Sequence, residues 1–468
     1  MKIAIAGYGV EGRASLKYFR RKYPRAEFLI VDQNDIKNPA DDIIVHTGTN
    51  VFSERLNDVN LVIRTPSIAP YHIHTLGKIW SATNEFFAEC PAPIIGVTGT
   101  KGKGTVCSMI AAILRRAGKT VHTVGNIGTP GLDVLPQITP RDVVIYELSS
   151  FQLWDLERSP HIAVVLMIEP DHLDVHRTFD EYIDAKSNIC RYQQANDITI
   201  YHPTNIYSQQ IALASGGEGQ AYRYGIPDDF QVYVDGVYFM SQNRQVCPTD
   251  AVQLPGGYNL DNACAAMSAV AMTFPGIPLE VYYHGLRSFT GLPHRLKRVA
   301  EKSGVTYYDD SIATTPGSAI AAIGAFAQPK VLILGGHDKG GDYTALAKEI
   351  ARSNMRAVIL MGSNAEKIAQ TIYSVAPQAN LIVKGKVPMA EIVRTAATTA
   401  QAGNVRKWLI LLVLYVFYTP FYLCVRTQTH LIRVKRSGFM MKNMFFFLAV
   451  CANRCNFASL KENKSQSR

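Results

Sequence analysis

Ile94-Ile95-Gly96-Val97 runs into Thr98-Gly99-Thr100-Lys101-Gly102-Lys103-Gly104-Thr105 and then into a helically spaced stretch, Val106 to Ala117. A buried strand, a lysine-bearing glycine loop and a helix N-terminus in that order make an anion-binding turn. Glycines let backbone N–H groups close around phosphate oxygens, and a lysine brings the compensating charge. Gly99, Thr100, Lys101, Gly102, Lys103, Gly104 and Thr105 are therefore the candidate nucleotide contacts. The spacing differs from the general G-x4-G-K-[ST] pattern, because Val97 occupies the first glycine position. Gly104 also follows the lysine, which leaves Thr105 to approach a magnesium ion. A glycine turn that merely packs a helix on a sheet is the plainer alternative.

Similar apolar runs recur on both sides of this loop. Lys2 to Ala6 leads into Gly7-Tyr8-Gly9-Val10-Glu11-Gly12, a helical stretch, and then Phe28-Leu29-Ile30-Val31-Asp32. This is a βαβ opening with an acid at the distance expected of a dinucleotide-type fold. Further runs are Leu61–Ile63, Val143–Tyr146, Ala163–Leu166, Val331–Leu334, Ala357–Leu360 and Leu381–Val383. Strand runs separated by helix-length segments predict an α/β protein with parallel sheets covered on both faces. The punctuation at Cys90-Pro91-Ala92-Pro93 and Gly291-Leu292-Pro293 predicts three domains: a Rossmann-like domain over 1–90, a central phosphate-loop domain over 91–290, and a second Rossmann-like domain over 291–405. Residues 205–250 read as small strands and loops within the central domain. Residues 406–468 read as an anomalous tail.

The 468 residues are 47% hydrophobic and 18% charged, which is a globular composition. Eight cysteines without a CxxC pair exclude a zinc ribbon and a disulfide framework. The net charge of +10 lies wholly in 406–468, which hold eleven Lys and Arg against Glu462 alone. A neutral body argues against nucleic acid as a partner. Unpaired cysteines and no credible secretory signal lead to a cytoplasmic expectation.

Nine short motifs occur in one order: GVTGTKGKGT, Gly125-Asn126-Ile127-Gly128, Glu147-Leu148-Ser149-Ser150-Phe151-Gln152-Leu153, Asp171-His172-Leu173-Asp174, Ala185-Lys186, Asn259-Leu260-Asp261-Asn262, Leu292-Pro293-His294-Arg295, Asp310-Ser311-Ile312-Ala313-Thr314 and Asp338-Lys339-Gly340-Gly341-Asp342. Over about residues 1–405 the chain resembles the Mur ligase family of ATP-dependent peptidoglycan-precursor enzymes. The ELSSFQL and DKGGD segments resemble those of the members that add D-glutamate to UDP-N-acetylmuramoyl-L-alanine.

The resemblance implies ATP, two Mg²⁺ ions and an acyl-phosphate route to an amide. It implies catalytic roles for Lys103, Glu147, His172 and Lys186, with Thr105, Glu147, His172 and Lys186 at the metals and Lys186 carbamylated. Asn259, Asn262, Arg295 and Asp310 match ATP contacts. Gly9, Val10, Asp32, Thr65 and Asn126 match contacts to the UDP-linked substrate, and Lys339 and Thr314 match contacts to D-glutamate. From the residues alone, a lone histidine is more often structural and a lone lysine a surface group. Three positions depart from the pattern. Ile312 stands where many members carry lysine, Ser67 where glycine is usual, and Tyr258 where histidine is common.

After Val405 the family pattern calls for a strand and a Ser-Pro-Ala-Cys-like wall to the D-glutamate pocket. This chain instead has the apolar run Trp408 to Val425 followed by basic residues. A shifted reading frame near residue 405 is the preferred expectation. A membrane anchor over 408–425 is the alternative, which Pro420 and the tyrosines of the run disfavour. Another amide ligase of the superfamily, such as a folylpolyglutamate synthase, and an inactive nucleotide-binding relic are the competing functions.

Overall fold

Two parallel sheets, and a third that is parallel except for one edge strand, carry the chain. The computed structural model describes residues 1–36, 42–126, 129–227, 231–313, 315–336, 342–401, 408–415, 425–426 and 431–432. The first sheet contains β1 (Lys2–Ala6), β2 (Glu27–Asp32), β3 (Ile44–Thr47), β4 (Leu61–Arg64) and β5 (Lys78–Ser81), in the order β3-β2-β1-β4-β5. All its pairings are parallel. The order reverses between β1 and β4, so the loops after Ala6 and Arg64 flank a crevice at the carboxyl ends of the strands, where open α/β sheets bind ligands.

The second sheet contains β6 (Ile94–Thr98), β7 (Val121–Gly125), β8 (Val143–Glu147), β9 (Ile162–Val165), β10 (Ile198–Tyr201) and β11 (Gln220–Arg223), ordered β11-β10-β9-β6-β8-β7. Its central strands are buried along their whole length, as the unbroken runs IIGVT and VVIYE require of a sheet covered on both faces. A small antiparallel sheet follows, β12 (Tyr233–Asp235), β13 (Tyr238–Ser241) and β14 (Arg244–Pro248), within the region read as short strands and loops.

The third sheet has the order β15-β16-β20-β17-β18-β19, where β15 is Lys297–Lys302, β16 Val305–Asp309, β17 Lys330–Gly336, β18 Met355–Gly362, β19 Leu381–Gly385 and β20 Trp408–Tyr415. Only β15 is antiparallel to its neighbour. The position of β20 differs from the sequence expectation. Residues 408–415, read as the start of a tail, lie between β16 and β17, with Val305 opposite Trp408 and Gly336 opposite Tyr415. The apolar run that raised the prospect of a membrane anchor is, over these eight residues, what a central parallel strand needs. Among the described residues no helix is long and apolar enough to cross a membrane.

Contacts divide the chain into two units, Met1–Gln253 with Tyr258–Phe289, and Leu254–Gly257 with Thr290–Arg468. The first two sheets belong to one unit and share one apolar core. Ile3, Ile5 and Phe86 are continuous in it with Tyr146, Leu148 and Leu153, and the Phe86 and Tyr146 rings meet edge to face at 5.3 Å.

Candidate functional site

The loop after β6 turns into the helix Lys103–Arg116 at Gly102, whose φ of +87° only glycine adopts freely. A Cβ there would lie 2.7 Å from Asn262 Oδ1, so the helix Tyr258–Thr273 closes over the loop. Asn262 Nδ2 also donates to Asn259 Oδ1 at 3.1 Å, which sets the two asparagines side by side above the loop. Thr105 is buried in the first turn of the loop's own helix.

Two lysines converge beneath it. Lys103 Nζ donates to Gly99 O at 2.8 Å and to Thr100 O at 3.1 Å. Lys186 Nζ, from the helix Phe179–Arg191, donates to Gly99 O and Thr98 Oγ1, both at 3.2 Å. That helix begins where Thr178 Oγ1 accepts from Glu181 N, with Asp180 and Glu181 in its first turn favouring the N-terminal dipole. The result turns Tyr182 and Lys186, four residues apart, to the same inward side. Lys186 is 1% exposed, its amine 4.7 Å from the Tyr182 ring centroid, and it has no ion pair among the described residues. Burial, then the Lys103 charge, holds its pKa well below the ordinary lysine value, against the opposing pull of Asp171 and Glu147.

Glu147 ends β8 beside the loop. Its Oε1 accepts from Asn126 Nδ2 at 3.0 Å, while Oε2 is buried without a hydrogen-bond partner. A buried, unpartnered carboxylate oxygen next to a phosphate loop suits a hard cation such as Mg²⁺. His172 has φ +56° and is half exposed. Its ring lies 4.9 Å from that of Phe151, and its Nε2 lies 3.6 Å from Asp171 Oδ2, with no contact to Glu147 or Lys186 among the described residues. Among the described residues no three His, Cys, Asp or Glu side chains form a metal-ligand cluster. The candidate set contains only Glu147 and His172 of those types.

At the first sheet, the Asp32 carboxylate accepts from Tyr8 N at 2.7 Å and so orders the glycine loop at its start. A Cβ on Gly12 would meet Gly7 O at 2.0 Å, and one on Gly7 would meet Thr65 Oγ1 at 2.1 Å. The glycine turn is therefore closed on itself at Gly12 and seats the Thr65 hydroxyl against Gly7, with Gly9 and Val10 exposed on the rim. The Thr65–Ile68 turn closes with Ser67 in the glycine position, through Ile68 N to Thr65 O at 3.1 Å.

In the second unit, Leu296 N donates to Asp310 Oδ1 at 2.9 Å, and burial pushes the Asp310 pKa up to about 7 although Arg295 opposes it. Ile312 is 42% exposed and supplies no cation. Lys339 and Thr314 lie outside the described residues.

Two contributors escaped the sequence reading. Thr98 Oγ1 accepts from Lys186 and donates to Leu148 O at 2.9 Å. The Tyr182 hydroxyl is 3.0 Å from Thr100 Oγ1, whose oxygen also accepts from Glu169 N. The one available signal was Tyr182 standing one turn before Lys186.

A glycine loop with a lysine pair below it and a buried carboxylate at the next strand end defines a phosphate-binding α/β enzyme. Known proteins make the class specific. The family of the Mur ligase middle domain matches residues 97–270, and that of the Mur ligase, glutamate ligase domain matches 294–412. The UDP-N-acetylmuramoylalanine--D-glutamate ligase of Clostridium kluyveri is 32% identical over 384 residues, 79% of this chain and 82% of its own. MurF from Acinetobacter baumannii superposes with a TM-score of 0.57 at 19% identity, covering 82% of this chain and 81% of its own. MurF from Thermotoga maritima, solved in complex with ADP, gives 0.54 at 16% identity, over 88% and 90%. The chain belongs to the Mur ligase family and is an ATP-dependent ligase. The glutamate ligase match runs past residue 405 into β20, in agreement with the sheet.

Proposed function

We propose that this chain joins D-glutamate to the alanyl carboxylate of UDP-N-acetylmuramoyl-L-alanine at the expense of ATP. The observation that carries the reading is the meeting of Lys103 and Lys186 on Gly99 O beside the unpartnered oxygen of Glu147. In the first step a carboxylate oxygen of the substrate attacks the γ-phosphorus, an O–P bond forms, and the bond to ADP breaks. In the second, the amine of D-glutamate attacks the acyl carbon, the amide forms, and phosphate leaves with the former carboxylate oxygen.

Both steps gather negative charge at the transferring phosphoryl group, and preorganised cations stabilise it. Lys103 supplies one such cation. Glu147 and the Thr105 hydroxyl would hold one Mg²⁺ ion, and His172 and Lys186 a second, which would supply further charge neutralisation when bound. Lys186 serves there only as an anion, and a carbamate meets that need. Carbamate formation requires a neutral amine, the state that burial favours. Asn259 and Asn262 accompany the adenine, and Arg295 and Asp310 the ribose and phosphates. Gly9, Val10, Asp32 and Thr65 hold the uridine diphosphate, and Asn126 faces the muramoyl part. Lys339 pairs with a D-glutamate carboxylate and Thr314 lies near it, on motif grounds. A reaction inside the cell fits a nucleotide-linked substrate.

The test is a panel of amino-acid acceptors with phosphate release as readout. D-glutamate alone should drive ADP and phosphate formation, and Lys339→Ala should raise its KM far more than that for ATP. Preference for another acceptor would overturn the assignment.

A further inference from the structure

Arg64, the last residue of β4, has a side chain with no exposure, yet each of its five N–H groups has an acceptor. Nε donates to Asp155 Oδ2 at 2.7 Å and Nη2 to Asp155 Oδ1 at 2.6 Å, a bidentate fork. Nη2 also donates to Phe151 O at 2.9 Å, and Nη1 to Ile68 O at 2.8 Å and Thr65 O at 3.3 Å. One guanidinium thus grips the Thr65–Ile68 loop of the first sheet and the Phe151–Asp155 segment that follows β8.

A second tie joins the same two parts. Gln152 Nε2 donates to Glu11 Oε1 at 3.0 Å, in the first turn of the helix Val10–Lys22 that follows the glycine turn, while Gln152 Oε1 accepts from Ser149 N at 3.1 Å. Asn84 Nδ2 donates to Asp155 O at 2.7 Å and Asn84 Oδ1 accepts from Glu157 N at 2.8 Å. At its other end, residues 147–155 are fixed to the phosphate loop. Leu148 N donates to Val97 O at 2.9 Å, and Leu148 O accepts from Thr98, the residue that also receives Lys186.

We propose that the Arg64–Asp155 pair is a positioning device that sets the distance between the nucleotide crevice of the first sheet and the phosphate loop, so that the site measures the length of its UDP-linked acyl substrate. The proposal rests on the reading of Gly9, Val10, Asp32 and Thr65 as uridine diphosphate contacts. A substrate anchored at that crevice must deliver its carboxylate to the γ-phosphate, and the gain from touching both places depends on a fixed separation. Stability alone is a poor reason for the pair. Buried ion pairs contribute little net stability over apolar residues of similar volume, whereas a planar fork fixes geometry.

The test measures, by calorimetry on the full chain, the affinities for UDP and for UDP-N-acetylmuramoyl-L-alanine, and reads their ratio. Asp155→Asn breaks the fork. The double variant Arg64→Met with Asp155→Leu removes both charges and leaves none buried alone. In each, the gain in affinity from UDP to the complete substrate should fall by about tenfold, since the two contacts no longer share a set separation. Asp155→Glu, which keeps a carboxylate, should recover part of it. An unchanged ratio in folded variants would overturn the device while leaving the UDP reading in place. A wild-type chain that binds no UDP would overturn that reading and the device with it.

Discussion

Lys103 and Lys186 share one acceptor, the carbonyl oxygen of Gly99, at 2.8 and 3.2 Å. Burial first, and then repulsion between the two ammonium groups on one oxygen, favour the neutral form of Lys186, the more buried of the two. Because its folded pKa is depressed, the unfolded chain binds the proton more readily. Stability therefore rises with pH as the solution moves from the folded pKa toward the ordinary lysine value. Lys186→Met should abolish turnover and raise the stability of the ligand-free protein near pH 7 by roughly 1 kcal/mol, flattening that slope. Thermal unfolding between pH 6 and 9 checks it, and a destabilised variant would count against a neutral buried amine. Lys186→Ala activity should return in part with bicarbonate or a short carboxylic acid.

Lys103→Ala should lower kcat by roughly two to three orders of magnitude, the loss typical of removing a group that stabilises charge in the transition state. The helix it begins keeps its buried face, Val106, Met109, Ile110 and Ile113, so the melting curve should stay in place. Phosphate release and calorimetry on one preparation separate the two effects.

Asp310 titrates in the opposite sense from a salt-bridged carboxylate. Burial raises its folded pKa to about 7 from 3.8, so the native state holds a proton that the unfolded chain releases. Stability is complete below about pH 4 and declines as pH rises toward 7. Asp310→Asn, able to keep the bond from Leu296 N, should be more stable than wild type at pH 8 by about 2–4 kcal/mol and equal to it at pH 4. Denaturant titrations at the two pH values decide it.

Ending the chain before Trp408 should remove the strand between β16 and β17 and leave the third sheet unable to close. Limited proteolysis should then cut within 290–401 while 1–253 resists. Equal protection of both parts would contradict the central position of β20.

The parts of the fold legible in sequence are those where chemistry changes abruptly along the chain. The run IIGV stops at a glycine loop, and VVIY stops at Glu147, so strand end and functional group are adjacent in sequence. Arg64 illustrates what is not legible. The sequence reading stops its strand at Ile63 and passes over it, and only the arrival of Asp155 from 91 residues away makes it a buried fork. Thr98 and Tyr182 were missed for the same reason, since their partners come from other elements. WLILLVLY reads as the start of a frame-shifted tail or of a membrane anchor, and its central-strand role was missed because a central parallel strand and a membrane segment demand the same apolar composition. Strand pairing, not periodicity, separates them.

The central claim is transfer of a phosphoryl group to the alanyl carboxylate before amide formation. UDP-N-acetylmuramoyl-L-alanine labelled with ¹⁸O in that carboxylate, incubated with ATP, Mg²⁺ and D-glutamate, measures it directly. One labelled oxygen should appear in the released phosphate and one should stay in the amide, with no release when D-glutamate is omitted. Phosphate free of label, formed at the same rate without D-glutamate, would contradict it.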